Sequence, residues 1–147
     1  MNLADLYRAQ NRDEDGEKIL RQGLAISPND AALHHALGLL LVRRGRQLEA
    51  LSALGRAAEL RPDNPHYDYV FGVALHSLHQ STRALEVLTQ AHARHPGEPE
   101  ILGGLATISR ERGQLASAIG YARKLVELMP YDQGARQLLV ELEAQRR

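Results

Sequence analysis

Residues 62–96 read PDNPHYDYVFGVALHSLHQSTRALEVLTQAHARHP, and the prolines that bracket them, Pro62 and Pro96, stand 34 residues apart. The same 34-residue interval separates Pro28 from Pro62 and Pro96 from Pro130. Self-similarity at a fixed period of roughly 20–50 residues marks a chain built by repeating one supersecondary unit. Within the stretch, apolar residues recur at spacings of three and four on either side of a polar break near His79, the pattern of two amphipathic helices.

Cutting the chain before residues 31, 65 and 99 brings further columns into register. Leu37-Gly38, Phe71-Gly72 and Leu105-Ala106 share block positions 7 and 8, and Ala50, Ala84 and Ala118 share position 20. Position 24 holds Leu54, Leu88 and Ala122; position 27 holds Ala57, Ala91 and Leu125. Small residues at positions 8, 20 and 27 let two helices approach, and larger ones at 7, 11 and 24 fill the space between them. Gly45 and Gly113 occupy the break, where a left-handed residue ends a helix; Asn11 takes that place in the first block and His79, less suitably, in the third. Asp30, Asn64 and Asp132 are placed to cap the following helix, with Pro65 and Pro99 in its first turn, where a missing N–H costs nothing.

These residues resemble the tetratricopeptide-repeat family, whose period is 34. Block 31–64 carries the pattern in Leu37, Gly38, Leu41, Ala50, Leu54, Ala57 and Pro62. Block 65–98 carries it in Phe71, Gly72, Leu75, Ala84, Leu88, Ala91 and Pro96. His34 and Asp68 depart from it at the leading aromatic position, and Ser109, Ala122 and Leu125 break the size pattern in block 99–132. The resemblance implies an all-α fold, a right-handed superhelical solenoid of antiparallel helix pairs, spanning residues 1–147 as a single domain. Its repeats are 1–30, 31–64, 65–98 and 99–132, followed by a capping helix 133–147. That last helix turns Leu138, Leu139 and Leu142 inward and Gln137, Glu141, Glu143, Arg146 and Arg147 outward, as the polar end of a stacked array requires. The first block keeps Leu3, Ala4, Tyr7, Leu20 and Pro28 but lacks its opening turn, so the expectation is a piece of a longer protein.

Composition narrows the function classes. Lys and Arg number 18, as do Asp and Glu, so no global field recruits nucleic acid or an anionic membrane. The strip Arg43-Arg44 with Arg46 is too short for a nucleic-acid surface. Cysteine is absent, which removes thiolate chemistry and Cys-containing zinc sites and leaves cytoplasm and periplasm equally open. The apolar runs are far shorter than a bilayer span, so membrane insertion is not expected and the chain reads as soluble. Richness in Ala, Leu and Arg suggests a bacterial source.

Motifs for chemistry are weak. The pairs His76/His79 and His92/His95 have helical spacing for a shared metal ion, but His79 falls in a turn and His95 beside Pro96. Adjacent His34 and His35 diverge by about 100°. Ser52, Ser77, Ser81, Ser109 and Ser117 stand without a patterned base, and no phosphate-binding or nucleophile-elbow motif occurs. Asp13, Glu14 and Asp15, with Glu17, read as the first turn of a helix, where negative charge complements the dipole. No catalytic residue, cofactor or metal is assigned, and the chain is not read as an enzyme.

The resemblance further implies a partner-binding groove lined by the first helix of each repeat, at positions 2, 5, 9, 12 and 13. Those positions hold Ala32, His35, Leu39, Val42 and Arg43, then His66, Tyr69, Val73, His76 and Ser77, then Glu100, Gly103, Thr107, Arg110 and Glu111. His35, Leu39, Arg43, His66, Tyr69, Val73, His76 and Arg110 are the candidate site residues, with Tyr69 as anchor for a peptide or helix of a protein partner. Gly103-Gly104, costly inside a helix, leaves either room for a ligand side chain or a close helix contact. The Lys/Asn/Asn/Lys/Arg clamp of relatives that bind acidic chaperone tails is missing: the matching places are Met1, Asp5, Ala36, His66 and Val70, or His35, Leu39, Val70, Glu100 and Gly104. Homo-oligomerisation through the N-terminal hairpin, where Leu3, Leu6 and Tyr7 lack a preceding repeat, is the rival expectation. A tail on a larger bacterial multidomain protein, with the catalytic or haem-bearing part elsewhere, is a third.

Overall fold

The computed structural model describes residues 2–146, the side chain of Tyr7 excepted; Met1 and Arg147 therefore lie outside it, as does the packing expected of Tyr7. The described residues form eight helices: α1 (Leu3–Ile26), α2 (Ala31–Arg43), α3 (Gln47–Leu60), α4 (Pro65–Ser77), α5 (Ser81–Arg94), α6 (Pro99–Glu111), α7 (Leu115–Leu128) and α8 (Gln133–Gln145). Their starts follow from local chemistry. The Asp30 carboxylate accepts a hydrogen bond from the Leu33 amide at 3.1 Å and Asp132 from the Ala135 amide at 2.8 Å. Asn64 accepts from the His66 amide at 3.1 Å, while Pro65 and Pro99 open α4 and α6. Each such cap contributes about 1 kcal/mol. Gly45 and Gly113 end α2 and α6 with φ of 74° and 75°, and His79 adopts the same left-handed conformation at 64°, a strained choice for a residue with a Cβ.

The chain divides into two compact units, Met1–Tyr67 and Asp68–Arg147. In the first, Leu37 and Leu41 of α2 pack with Ala50 and Ala53 of α3, and Leu20 and Leu24 of α1 close over them. A Cβ on Gly38 would come within 2.6 Å of the Leu54 side chain, so only glycine lets α2 lie this close to α3. In the second unit a Cβ on Gly72 would approach Leu88 to 2.8 Å. Leu75, Leu88, Ala91, Ile101, Leu102 and Leu105 are fully buried, each leucine contributing about 1.5–3 kcal/mol. At the end of this unit Leu142 is fully buried, and Leu138 and Leu139 of α8 cover Ala118, Ile119 and Ala122 of α7. The outer face of α8 is polar, with Glu143 paired to Arg123 at 3.3 Å.

The two departures at the leading aromatic position are each met by a polar partner. His34 Nε2 lies 2.7 Å from the Pro28 carbonyl. Buried Asp68 accepts from Arg94 at 3.1 Å.

The first block differs from expectation. Instead of two helices broken at Asn11, α1 runs unbroken for 24 residues, and neither Asn11 nor Gly16 has a positive φ. The physical reason lies in what α1 packs against: its second half has α2 to cover it, whereas Leu3 and Leu6 of the first half are exposed, so nothing rewards a reversal at Asn11. Asp13, Glu14 and Asp15 consequently sit in mid-helix, and the helix-dipole reading of these acids is wrong. Asp13 and the nearby Glu17 serve instead as partners for the basic strip. Asp13 pairs with Arg43 at 2.9 Å, and buried Glu17 gathers Arg21 at 2.9 Å, Arg44 at 3.1 Å and Arg46 at 2.6 Å. The Arg21 hydrogen bond, followed by Arg46, holds the Glu17 carboxyl below its ordinary pKa against the opposing effect of burial.

Candidate functional site

In the second unit the first-helix positions build a groove of about 410 Å³. Tyr69, Val73 and His76 come from α4; Glu100, Gly103, Gly104, Thr107 and Ile108 come from α6; Leu138 comes from α8. The three α4 residues are one turn apart by sequence, which puts them on one face. On α6 the steps from Glu100 to Gly103 and Thr107 do the same.

The adjacent glycines divide the two roles the sequence offered. A Cβ on Gly104 would meet Leu88 at 3.3 Å and the Tyr69 ring at 3.4 Å, so Gly104 is the close-contact residue. A Cβ on Gly103 would meet nothing within 4 Å, so Gly103 leaves open space on the groove floor. Tyr69 is half-buried and pressed against the α6 backbone, which makes it a wall rather than a free-standing anchor. Val73, 38 % exposed, presents its side chain to solvent.

His76 is fixed from both ring nitrogens. Nδ1 lies 2.8 Å from the Ser81 hydroxyl at the start of α5, and Nε2 pairs with the Glu111 carboxylate. An ionised carboxylate only accepts, so Nε2 carries the proton it donates. Ser81 thus has a basic partner that its sequence context did not disclose, five residues away across a turn. Ser81 is not among the groove-lining residues, so the Ser81–His76–Glu111 string orients the imidazole rather than presenting a nucleophile to the groove. Arg110 does not line the groove either; it pairs with Glu141 of α8 at 3.7 Å.

The candidates in the first unit behave differently. The His35 ring lies 4.6 Å from Tyr67 and 5.9 Å from His66, centroid to centroid. Its Nδ1 is buried without a hydrogen-bond partner. Burial, then the neighbouring His66, lowers the His35 pKa, which favours the neutral ring in this aromatic cluster. Leu39 is exposed. Arg43 is committed to Asp13. These residues share a helix face by register, but the structure does not gather them as it gathers Tyr69, Val73 and His76. Ile108 and Leu138 were missed as groove residues. Leu138 was legible as apolar, but its contribution depends on where α8 docks, which its own spacing does not fix.

Helix pairs with the small and large residues of one repeat register define a helical-repeat protein. The sequence profile described as Tetratricopeptide repeat matches residues 1–129, and the chain belongs to that family. Among curated proteins it is 30% identical over 120 residues to the Vi polysaccharide export protein VexE of Salmonella typhi, covering 79% of this chain and 18% of that one. It is 26% identical over 130 residues to the TPR repeat-containing protein PA4667 of Pseudomonas aeruginosa, covering 86% and 22%. The chain thus spans about one fifth of the length of the curated relatives it matches. Among solved structures, MamA superposes with a TM-score of 0.80 at 18% identity, covering 99% of this chain and 85% of that one. YrrB, a TPR protein with an unusual peptide-binding site, superposes with a TM-score of 0.73 at 20% identity, covering 97% and 74%. At these identities the likeness is one of fold. Both curated relatives are bacterial, and among the described residues no helix is long and apolar enough to cross a membrane.

Proposed function

We propose that the chain is a non-catalytic protein-interaction scaffold that holds a peptide or helix of a protein partner in the groove between α4 and α6. The observation that carries this reading is the unfilled floor at Gly103 beneath the apolar walls of Tyr69, Val73 and Ile108. A helix interior tolerates glycine at about 0.5–1 kcal/mol relative to alanine. Gly104 is explained by packing, whereas a Cβ on Gly103 would meet nothing within 4 Å, and a partner's side chain is the natural occupant of the space. Apolar clefts with a few fixed polar groups are where extended peptides and amphipathic helices dock. The peptide-binding site of YrrB lends the fold a precedent. The fold itself names no partner, because repeat proteins graft different ligands on one scaffold.

The test compares proteins recovered from a native lysate by the unaltered chain and by Val73→Asp/Gly103→Asp. A Cβ on Gly103 meets nothing within 4 Å and Val73 is partly exposed, so the variant should keep its helical signal. The proposal requires loss of specific partners; an unchanged set on a folded variant rejects it.

A second reading is self-association through α1, favoured by the exposure of Leu3 (65 %) and Leu6 (44 %). A strict monomer in sedimentation at high concentration removes it. A chain covering about a fifth of its curated relatives also fits a scaffold segment of a larger bacterial protein whose chemistry lies elsewhere.

A further inference from the structure

Resting on the self-association reading, we infer that the first half of α1 in one copy packs on the second half of α1 in another. Two chains thereby make the helix pair that the first block does not make by itself. In block 31–64, Leu37 and Leu41 at positions 7 and 11 pack with Ala50 and Ala53 at positions 20 and 23. Gly38 at position 8 lies against Leu54 at position 24, and block 65–98 repeats that contact between Gly72 and Leu88. In the first block, positions 7, 8, 20, 23 and 24 hold Leu3, Ala4, Gly16, Ile19 and Leu20. Large residues again stand at 7 and 24 and small ones at 8 and 20, the pattern that lets two helices close on each other.

Because α1 is unbroken, these two sets cannot meet in one chain. Ala4 and Leu20 are about 24 Å apart along the axis at about 1.5 Å per residue. Both sets are correspondingly bare. Leu3 is 65 % exposed against 5 % for Leu37, and Ile19 is 67 % exposed against 8 % for Ala53. A Cβ on Gly16 would meet nothing within 4 Å, whereas Ala50, Ala84 and Ala118 at the same position are buried. Leu54 and Leu88 are fully buried, while Leu20 is covered only in part, by the cluster of α2 and α3. One chain thus carries both halves of an unmade helix contact, and a second copy is the occupant whose surface has the required pattern. Exchange of an element between identical chains reuses a packing that the sequence already encodes.

The pairing is heterologous. Leu3 and Gly16 are 13 residues apart, so at about 3.6 residues per turn they point about 140° apart around α1. A copy that receives a helix on one side therefore offers its own on another, and the contact propagates instead of closing on a two-fold axis.

The chain has no cysteine, so two single variants, Ala4→Cys and Leu20→Cys, report the contact by disulfide formation at the positions where Gly38 meets Leu54. Oxidised as a mixture, they should give a 4–20 disulfide between chains at least about tenfold more abundant than 4–4 or 20–20, as mass spectrometry of the digest reads it. Ile19→Cys replaces Leu20→Cys where circular dichroism shows helix lost. Leu3→Asp and Ile19→Asp change exposed residues and should leave helicity unchanged. Each should act on one side only. Leu3→Asp should cut the 4–20 yield by about tenfold on the Ala4→Cys copy and by less than about twofold on the Leu20→Cys copy, with Ile19→Asp doing the reverse.

A 4–20 yield no greater than the like pairs, or a loss that ignores which copy carries Leu3→Asp, overturns the exchange; sedimentation then decides self-association separately. In the double variant Ala4→Cys/Leu20→Cys a covalent ladder of oligomers is expected. A disulfide confined to one chain would show α1 folding back on itself and overturns the exchange. A strict monomer without any disulfide removes both self-association and the exchange.

Discussion

The first and last helices are fastened by different chemistry. α8 closes its unit with apolar surface: Leu142 is fully buried and Leu138 and Leu139 lie over Ala118, Ile119 and Ala122. α1 rests on its unit with two partly buried leucines, Leu20 and Leu24, and is further tied by ion pairs, Glu17 to the arginines of the α2–α3 turn, Asp13 to Arg43 and Arg21 to Glu49. Its first half carries Leu3 and Leu6 into solvent. An apolar closure responds little to pH, whereas an ionic one shared with half-exposed arginines is weakened by both acid and salt. The same repeat register therefore yields one end that is sealed and one that is latched.

That contrast can be broken most forcefully at the sealed end. Leu142→Ala should destabilise the chain by about 2–5 kcal/mol, the usual cost of a core cavity, while Leu20→Ala, at a partly buried site, should cost about 1 kcal/mol. Thermal or urea unfolding reads both, and equal costs would erase the distinction.

Next in size is a test of the close helix approach inside the first unit. Gly38→Ala should cost about 1–3 kcal/mol by forcing Leu54 aside. Adding Leu54→Ala should cost less than the two single changes together predict, because it removes the side chain that collides. Block 99–132 already contains this exchange, with Ala106 in place of glycine at position 8 and Ala122 in place of leucine at position 24, both fully buried. At these two positions a larger residue on one helix is matched by a smaller one on the next.

The latch is the third target. Glu17→Gln should cost about 1 kcal/mol at neutral pH, discounted for the exposure of its arginine partners. Because folding lowers the Glu17 pKa, its contribution is complete above the ordinary glutamate value and is lost as pH falls through the lowered one. Asp68 has the opposite sign: burial raises its pKa despite Arg94, so acidification through the carboxylate range favours the folded state at that site. Unfolding curves for Glu17→Gln and Asp68→Asn across that range should therefore diverge from the parent in opposite directions. The smallest effect belongs to Leu3→Ser/Leu6→Ser, expected within about 0.5 kcal/mol in stability; if α1 drives self-association, sedimentation should nevertheless show that association lost.

The repeat register was legible because local demands recur: a glycine beneath a leucine in two blocks, an Asp or Asn cap before α2, α4 and α8, a left-handed residue after α2, α4 and α6. It failed at Asn11, where the residue types permit a turn but the neighbouring surface that would stabilise one is missing. It also misjudged the acids from Asp13 to Glu17, of which Asp13 and Glu17 face the arginine strip, because charges at the start of a supposed helix and charges facing such a strip look alike in one dimension. The groove was legible as a set of positions. Its content was not, since the split between Gly103 and Gly104, the Ser81–His76–Glu111 string and the entry of Leu138 all depend on distances between helices.

The central claim is that partners meet the face bearing Gly103. A photo-crosslinking amino acid placed at Gly103, and in a separate variant at exposed Ala116 on α7, tests it in the native cell whatever the ligand is. The account predicts discrete adducts from position 103 that are absent from position 116. No adduct at 103, or the same adducts from both positions, would contradict it.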